Sequence, residues 1–350
     1  MPTTYAIPDG RTVMAATLYS GTGGTISPTN TVNGVSFQPD FVWIKVRSTT
    51  YNHNLFDSVR GVQNVLNSNA TYAENVSGAG DLTAFNSNGF TVRQTANYEL
   101  SNASATYVAW QWKAGTTSAS NTNGTITSTV SVDATQGFSV VTYTGTGTAA
   151  TIGHGLGVAP SMIIIKSRPT ASTSWIVYHS SISPTNLLTL QTTAAQQNLP
   201  LYFNSTSPTS SVFSIGSAAN TGVDLNVSSS TYVAYCFAAV AGYSAFGSYT
   251  GNGSSDGPFV YTGFRPRWVL VKNSSQTNDW FVMDSSMNTY NVIGDYLHPN
   301  TSSATVTFSW IDFLSNGFKI RGTGTGLNNS SIVQIYAAFA ENPFKYANAR

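Results

Sequence analysis

The chain has 350 residues, only 8% of them charged against the ~25% of an ordinary globular protein, and a net charge of +1. Its Lys and Arg are scattered, so there is no basic stripe to follow a phosphate backbone, and nucleic acid is not an expected partner. One cysteine, Cys236, leaves no intramolecular disulfide framework, and no apolar run reaches the ~20 residues of a membrane span.

Along the chain, residues 1–17 read as an N-terminal arm. Met1-Pro2-Thr3-Thr4-Tyr5 has no basic region followed by an apolar core, so no secretory signal is expected. Unit 1, residues 18–115, opens on Tyr19 and a turn, Gly21-Thr22-Gly23. Pro39 then leads into Phe41-Val42-Trp43-Ile44-Lys45. Leu55-Phe56-Asp57-Ser58 and Gly89-Phe90-Thr91-Val92 follow, and Tyr107-Val108-Ala109-Trp110-Gln111-Trp112 closes the unit. Residues 116–136, nearly all small or polar, read as a linker.

Unit 2, residues 137–243, repeats the order. Tyr143 precedes Gly145-Thr146-Gly147, and Pro160 leads into Met162-Ile163-Ile164-Ile165-Lys166. Val177-Tyr178-His179-Ser180, Val212-Phe213-Ser214-Ile215 and Tyr232-Val233-Ala234-Tyr235-Cys236-Phe237 complete it. Unit 3, residues 244–343, does so again with Tyr249, Pro266, Trp268-Val269-Leu270-Val271-Lys272 and Val282-Met283-Asp284-Ser285. It continues through Gly317-Phe318-Lys319-Ile320 to Ile335-Tyr336-Ala337-Ala338-Phe339, and residues 344–350 are a tail. In each unit the Lys stands six residues after the Pro. Landmarks holding register over ~70 residues mark internal repeats.

The landmark runs are short, rich in Val, Ile, Tyr, Phe, Trp and Thr, and bounded by Gly, Pro, Asn and Ser, which is the pattern of strands. The expected fold is all-β: three tandem antiparallel β-sandwich domains, jelly-roll-like, as pseudo-repeats of about 105 residues. Near-continuous apolar runs such as Met162-Ile163-Ile164-Ile165 predict strands buried on both faces. Asn88-Gly89 and Asn316-Gly317 predict type I′ hairpin turns. The looser apolar spacing near residues 57–66 and 187–197 allows short helical turns.

Lys45, Lys166 and Lys272 are followed after 12 or 13 residues by Asp57, His179 and Asp284. Adjacent strands would bring these together, and cross-strand pairs serving the fold are the expectation rather than one catalytic centre kept three times. Arg47 and Arg168 recur two residues beyond the Lys, where unit 3 has Ser274. The four histidines lack metal-type spacing, and neither a nucleophile elbow nor a phosphate-binding loop is present, so no catalytic residue, cofactor or metal is expected. Trp43, Trp110, Trp112 and Trp268 lie in repeat strands and read as packing residues. Trp175 and Trp280 follow polar loops and are candidate exposed platforms for a sugar ring or a partner. His154, in Gly153-His154-Gly155-Leu156-Gly157, reads as an exposed turn that joins them as a candidate contact.

Several phrases resemble a repeat family of tailed-bacteriophage virion proteins. They include Phe37-Gln38-Pro39-Asp40-Phe41-Val42-Trp43-Ile44-Lys45, Phe56-Asp57-Ser58-Val59-Arg60-Gly61, Ile152-Gly153-His154-Gly155-Leu156-Gly157-Val158-Ala159-Pro160 and Phe246-Gly247-Ser248-Tyr249-Thr250-Gly251-Asn252-Gly253. The ending Phe339-Ala340-Glu341-Asn342-Pro343-Phe344-Lys345 belongs with them, and the likeness covers roughly residues 12–350. It implies a non-enzymatic structural protein of the virion, in a tail fibre or as capsid decoration. Its partners would be other virion proteins or further copies of itself. The alternative expectation is a carbohydrate-binding array that recognises a host-surface glycan.

Overall fold

The computed structural model describes residues 6–76, 81–94, 100–217, 225–324 and 326–341. Its regular structure is antiparallel β-sheet. The single helical element among these residues is a 3₁₀ turn, Gly10–Thr12, and residues near 57–66 and 187–197 form turns and strand instead.

Four strands recur in each unit. The leading strands are Met14–Ser20, Phe138–Thr144 and Ser244–Thr250. The Pro–Lys strands are Phe41–Val46, Met162–Ser167 and Pro266–Asn273. The return strands are Asn54–Asp57, Ile176–His179 and Trp280–Asp284, and the closing strands are Thr106–Trp112, Thr231–Phe237 and Val333–Ala340. In every unit the order across the sheet is leading, closing, Pro–Lys, return. The last strand in sequence thus lies in the middle of the sheet, so no unit is complete until its final residues are made. A smaller sheet covers one face of each: Thr25–Ile26 with Gly89–Arg93 and Leu82–Asn86; Ala150–Gly153 with Val212–Ile215; Phe259–Tyr261 with Gly317–Ile320, Val306–Leu314 and Ile293–Tyr296. The architecture is β-sandwich. Pro39, Pro160 and Pro266 are buried at the entry to their strands, where a residue without an N–H leaves no ladder bond unmade.

Three expectations need correction. Residues 116–136 are not a free linker: Ala119–Asn121 and Ser128–Asp133 pair in a hairpin, and the latter joins the leading strand of unit 2, extending that sheet. The arm is shorter than 17 residues, because the first sheet begins at Met14. The hairpin turns at Asn88 and Asn316 are Ser-Asn loops, since Asn86 pairs Gly89 and Leu314 pairs Gly317. Neither loop has the positive φ of a type I′ turn; Gly89 is needed instead because a Cβ there would meet the Pro28 carbonyl oxygen at 2.2 Å. Residues 1–5 and the tail at 344–350 lie outside the described residues.

The apolar runs are buried along their whole length, for a reason that one sandwich alone would not supply. Val42, Ile44 and Val46 pack into the sandwich core of unit 1, and Ile163 and Ile165 into that of unit 2. The alternate residues, Phe41 and Trp43, Met162 and Ile164, point the other way, into one core shared by all three units. At its centre the last aromatics of the three closing strands meet. Trp112–Phe237, Trp112–Phe339 and Phe237–Phe339 have ring centroids 6.1, 5.6 and 5.8 Å apart, at interplanar angles of 71°, 69° and 65°. Three near-equal sides and three near-equal tilts describe a propeller of rings, edge against face, the arrangement aromatic quadrupoles favour. Trp268 packs against both Trp110 and Trp112 at 6.2 and 5.4 Å. The four tryptophans read as packing residues are all in this core or on it.

Candidate functional site

The residues singled out as repeat nodes lie where units meet. The Lys and acid nodes do not pair. In the hairpin between the Pro–Lys and return strands, Phe41 faces Asp57, Met162 faces His179, and Trp268 faces Asp284, while Lys272 faces Trp280. Each Lys is therefore four residues, or about 13 Å, along the strand from its supposed partner. A spacing of 12 residues brings two side chains together only if the turn sits midway with matching register, and this hairpin's register puts the acid opposite the start of the run.

Asp57, His179 and Asp284 have a different task, the same in each unit. On the near side each caps the turn that follows it. Asp57 Oδ1 accepts from the Val59 and Arg60 amides at 3.1 and 2.8 Å, Asp284 Oδ1 from those of Ser286 and Met287, both at 2.8 Å, and His179 Nδ1 from that of Ser181 at 3.1 Å. On the far side each reaches the closing strand of the next unit. Tyr235 Oη donates to Asp57 Oδ2 at 2.9 Å, and Trp110 Nε1 donates to Asp284 Oδ2 at 2.9 Å. His179, whose Nδ1 is already an acceptor, carries its proton on Nε2 and donates to the Tyr336 carbonyl at 3.1 Å. Asp and His are interchangeable here because both offer a near acceptor and a second group beyond it. Donation is reversed in unit 2 because Ala337 stands where Tyr235 and Trp110 supply a donor.

A second ring runs in the opposite sense. Trp175 Nε1 donates to the Asn67 carbonyl at 2.8 Å, and Trp280 Nε1 to the Thr189 carbonyl at 3.0 Å. In unit 1 His53 occupies the same place. Its Nδ1 accepts from Trp43 Nε1 at 2.9 Å, and Nε2 donates to the His298 carbonyl at 3.0 Å. Trp175 and Trp280 are thus corrected from exposed platforms to buried interface residues, 0% and 1% exposed. An indole after a polar loop reads as exposed only while the neighbouring unit is out of sight. His154 is also buried, with Nδ1 accepting from the Leu156 amide and Nε2 on the Thr209 carbonyl, so it shapes a loop of unit 2 and faces no solvent.

A third ring is main chain. The Glu74 amide donates to the Arg168 carbonyl at 2.6 Å, Gln196 to Ser274 at 2.7 Å, and Thr305 to Arg47 at 2.8 Å. Unit 1 joins 2, 2 joins 3, and 3 returns to 1, so a head-to-tail contact closes instead of extending. This explains how Ser274 substitutes for Arg at the recurring position: the backbone oxygen makes the ring. The arginines add ion pairs between units, Arg168 with Glu74 at 2.7 Å and Arg47 with Asp295 at 3.6 Å. Arg60, which the sequence reading passed over, is the densest node. It binds Asp57 at 2.5 Å and Glu74 at 2.9 Å and also donates to Tyr235 of unit 2. Its signal was available, since Asp and Arg three residues apart after a strand make a local clamp.

The three lysines are fully buried. Each Nζ donates to the carbonyl of the next residue, Val46, Ser167 or Asn273, and Lys272 also reaches the Thr193 carbonyl in unit 2. Burial pulls Lys45 down to about 7 and Lys272 to about 8. The same cause holds His179 down at about 4. For Lys45 and Lys272 the unfolded chain keeps its protons up to about pH 10.5, so stability rises with pH from about 7 toward 10.5. For His179 the unfolded chain takes up its proton first, and stability falls as pH drops from about 6.5 to 4. Lys45→Met should flatten the alkaline limb of a Tm–pH curve and raise stability at pH 7 by about 1–3 kcal/mol. An unchanged alkaline slope in that variant would assign the limb to other groups.

Among the described residues no cluster of His, Cys, Asp or Glu could hold a metal, and no helix is long and apolar enough to cross a membrane. Cys236 is buried, and burial raises its thiol well above its usual range, which leaves it a core residue. Neither a curated protein nor a solved structure matches the chain. A family described as a domain of unknown function, DUF7483, matches residues 10–343, from the 3₁₀ turn that precedes the first leading strand to just past the last closing strand. The match spans all three units and every inter-unit ring, and the chain belongs to that family.

Proposed function

We propose that this protein is a non-enzymatic structural protein of a tailed-phage virion, displayed on the particle surface as a tail-fibre or capsid-decoration component. The observation that carries the reading, beside the sequence resemblance, is the closed ring. One chain reproduces the arrangement of a trimer, with Trp112, Phe237 and Phe339 about its centre. Its buried Asp and His nodes are spent on holding the ring together. Such a body suits a three-fold or quasi three-fold position in an assembly, where three related but unequal faces meet three related sites. The low charge suits permanent neighbours over salt-sensitive encounters. Imaging purified particles with and without the gene product tests this. Missing density at a defined site in the deletion particle is the expected result, and unchanged particles with the protein left free in solution would sink the reading.

A second reading, glycan recognition, keeps an observation of its own, on other residues than the tryptophans. Phe259 and Tyr261 stand 45% and 67% exposed on one face of an edge strand of unit 3. The matching positions in units 1 and 2 carry Ser27 and Thr29, Thr151 and Gly153. Two outward aromatics two residues apart form a stacking surface. On a host-glycan array, binding that Tyr261→Ala abolishes without lowering Tm would favour this reading, and silence of the intact chain would end it.

A further inference from the structure

The shielded arginines at unit boundaries are paired. Arg47, Arg60, Arg168 and Arg265 hold Asp295, Asp57, Glu74 and Glu341 respectively. Arg267 departs from this pattern. Among the described residues it has no carboxylate in ion-pair range, its Nε is buried without a hydrogen-bond partner, and Nη1 reaches Ser286 Oγ only at 3.4 Å. The nearby Asp284 is engaged elsewhere, with the Trp110 indole on Oδ2 and two amides on Oδ1. The repeat does not require this charge: the position after the Pro is Asp40 in unit 1 and Ser161 in unit 2. Asp284 and Asp9 offset its charge only from a distance, and a guanidinium whose buried Nε has no partner calls for an explanation in something that binds it.

Arg267 lines a cavity of about 120 Å³ between units 1 and 3, together with Arg11, Ala16, Thr29, Asn30 and Val32. Ser286 Oγ donates to the Ala16 carbonyl at 2.8 Å and fixes one wall against the other. Arg11 is already held by Asp9, so among the described residues the cavity's cation without a direct carboxylate partner is Arg267. The space is well below the ~300–1,000 Å³ of pockets for drug-sized ligands, and any occupant must be small. A planar guanidinium fork matches the oxygens of phosphate and carboxylate. We propose that this cavity binds one small oxyanion, a phosphate or a carboxylate, with Arg267 as principal donor and Arg11 at its edge.

Thermal unfolding in inorganic phosphate, in acetate and in chloride, at matched pH and ionic strength, tests the site independently of any role in a virion. A saturable rise in Tm of about 3 °C at a hundredfold excess over Kd is expected with phosphate or acetate and not with chloride. Which of the two works identifies the oxyanion. Arg267→Gln should remove the rise and, in chloride alone, unfold no lower than the parent. No rise beyond that in chloride, or a rise that survives Arg267→Gln, overturns the proposal. Should Arg267→Gln fail to fold, Arg11→Gln decides: a weaker anion response supports the site, and a response retained in full overturns it.

Discussion

Arg60→Met is expected to destabilise the whole chain by about 3–5 kcal/mol, which for 350 residues lowers Tm by roughly 4–7 °C. All five N–H donors of this side chain are used. Nε binds Asp57, Nη1 binds Glu74 and the Asn64 carbonyl, and Nη2 binds the Leu55 carbonyl and Tyr235 Oη. Its side chain is 0% exposed, as is that of Asp57. Burial works against its charge, but Asp57, Tyr235 and Glu74 outweigh burial and hold the guanidinium more firmly protonated than a free one. Methionine fills much of the same volume, so the expected loss is electrostatic: it strands the Asp57 carboxylate in the interior between two units. Glu74→Gln should cost far less, because Arg60 keeps Asp57. Chemical denaturation measures both. A loss below about 1 kcal/mol for Arg60→Met would mean that Asp57 finds another partner and that the node does not hold units 1 and 2 together.

Trp112→Ala is the second large effect, about 3–5 kcal/mol from lost transfer energy and the cavity left behind. The indole touches Phe41 of its own unit, Phe237 of unit 2, and Trp268 and Phe339 of unit 3, all within 6.1 Å between centroids. Its Nε1 makes no hydrogen bond in the structure, so the whole contribution is packing. Because that packing is shared, the three units should unfold as one. Tryptophan fluorescence and far-UV circular dichroism should trace a single coincident transition in the parent and in the variant, shifted together. Separate transitions in the parent chain would show three independent sandwiches in contact, and a variant that lost only one third of its structure would show the same.

The all-β character and the apolar landmark strands were legible in the chain itself. Pro39, Pro160 and Pro266 mark strand entries, and the apolar runs after them are buried throughout, because hydrophobic pattern and β-propensity act locally and survive without knowledge of neighbours. The stretch 116–136 misled for the complementary reason. Its strands are small and polar, and they pair because the leading strand of unit 2 presents an open edge, a fact of tertiary structure. The turns at Asn88 and Asn316 were misplaced by one residue, since turn type depends on ladder register as well as on the Asn-Gly pair.

For the candidate site, residue choice was legible and residue role was not. Lys45, Asp57, His179 and Asp284 stood out because they recur, and recurrence is a property of sequence. What each touches is decided by the neighbouring unit. Asp57 meets Tyr235 across 178 residues, Trp110 meets Asp284 across 174, and His179 meets Tyr336 across 157. Trp175 and Trp280 look exposed in an isolated unit and become buried only when the ring closes. Sequence alone determined that there are strands, where the apolar landmark strands lie, and which positions repeat, since these follow from local propensity and spacing. Only the tertiary structure decided that three sandwiches share one core, because burial on the second face of each sheet comes from residues more than a hundred positions away.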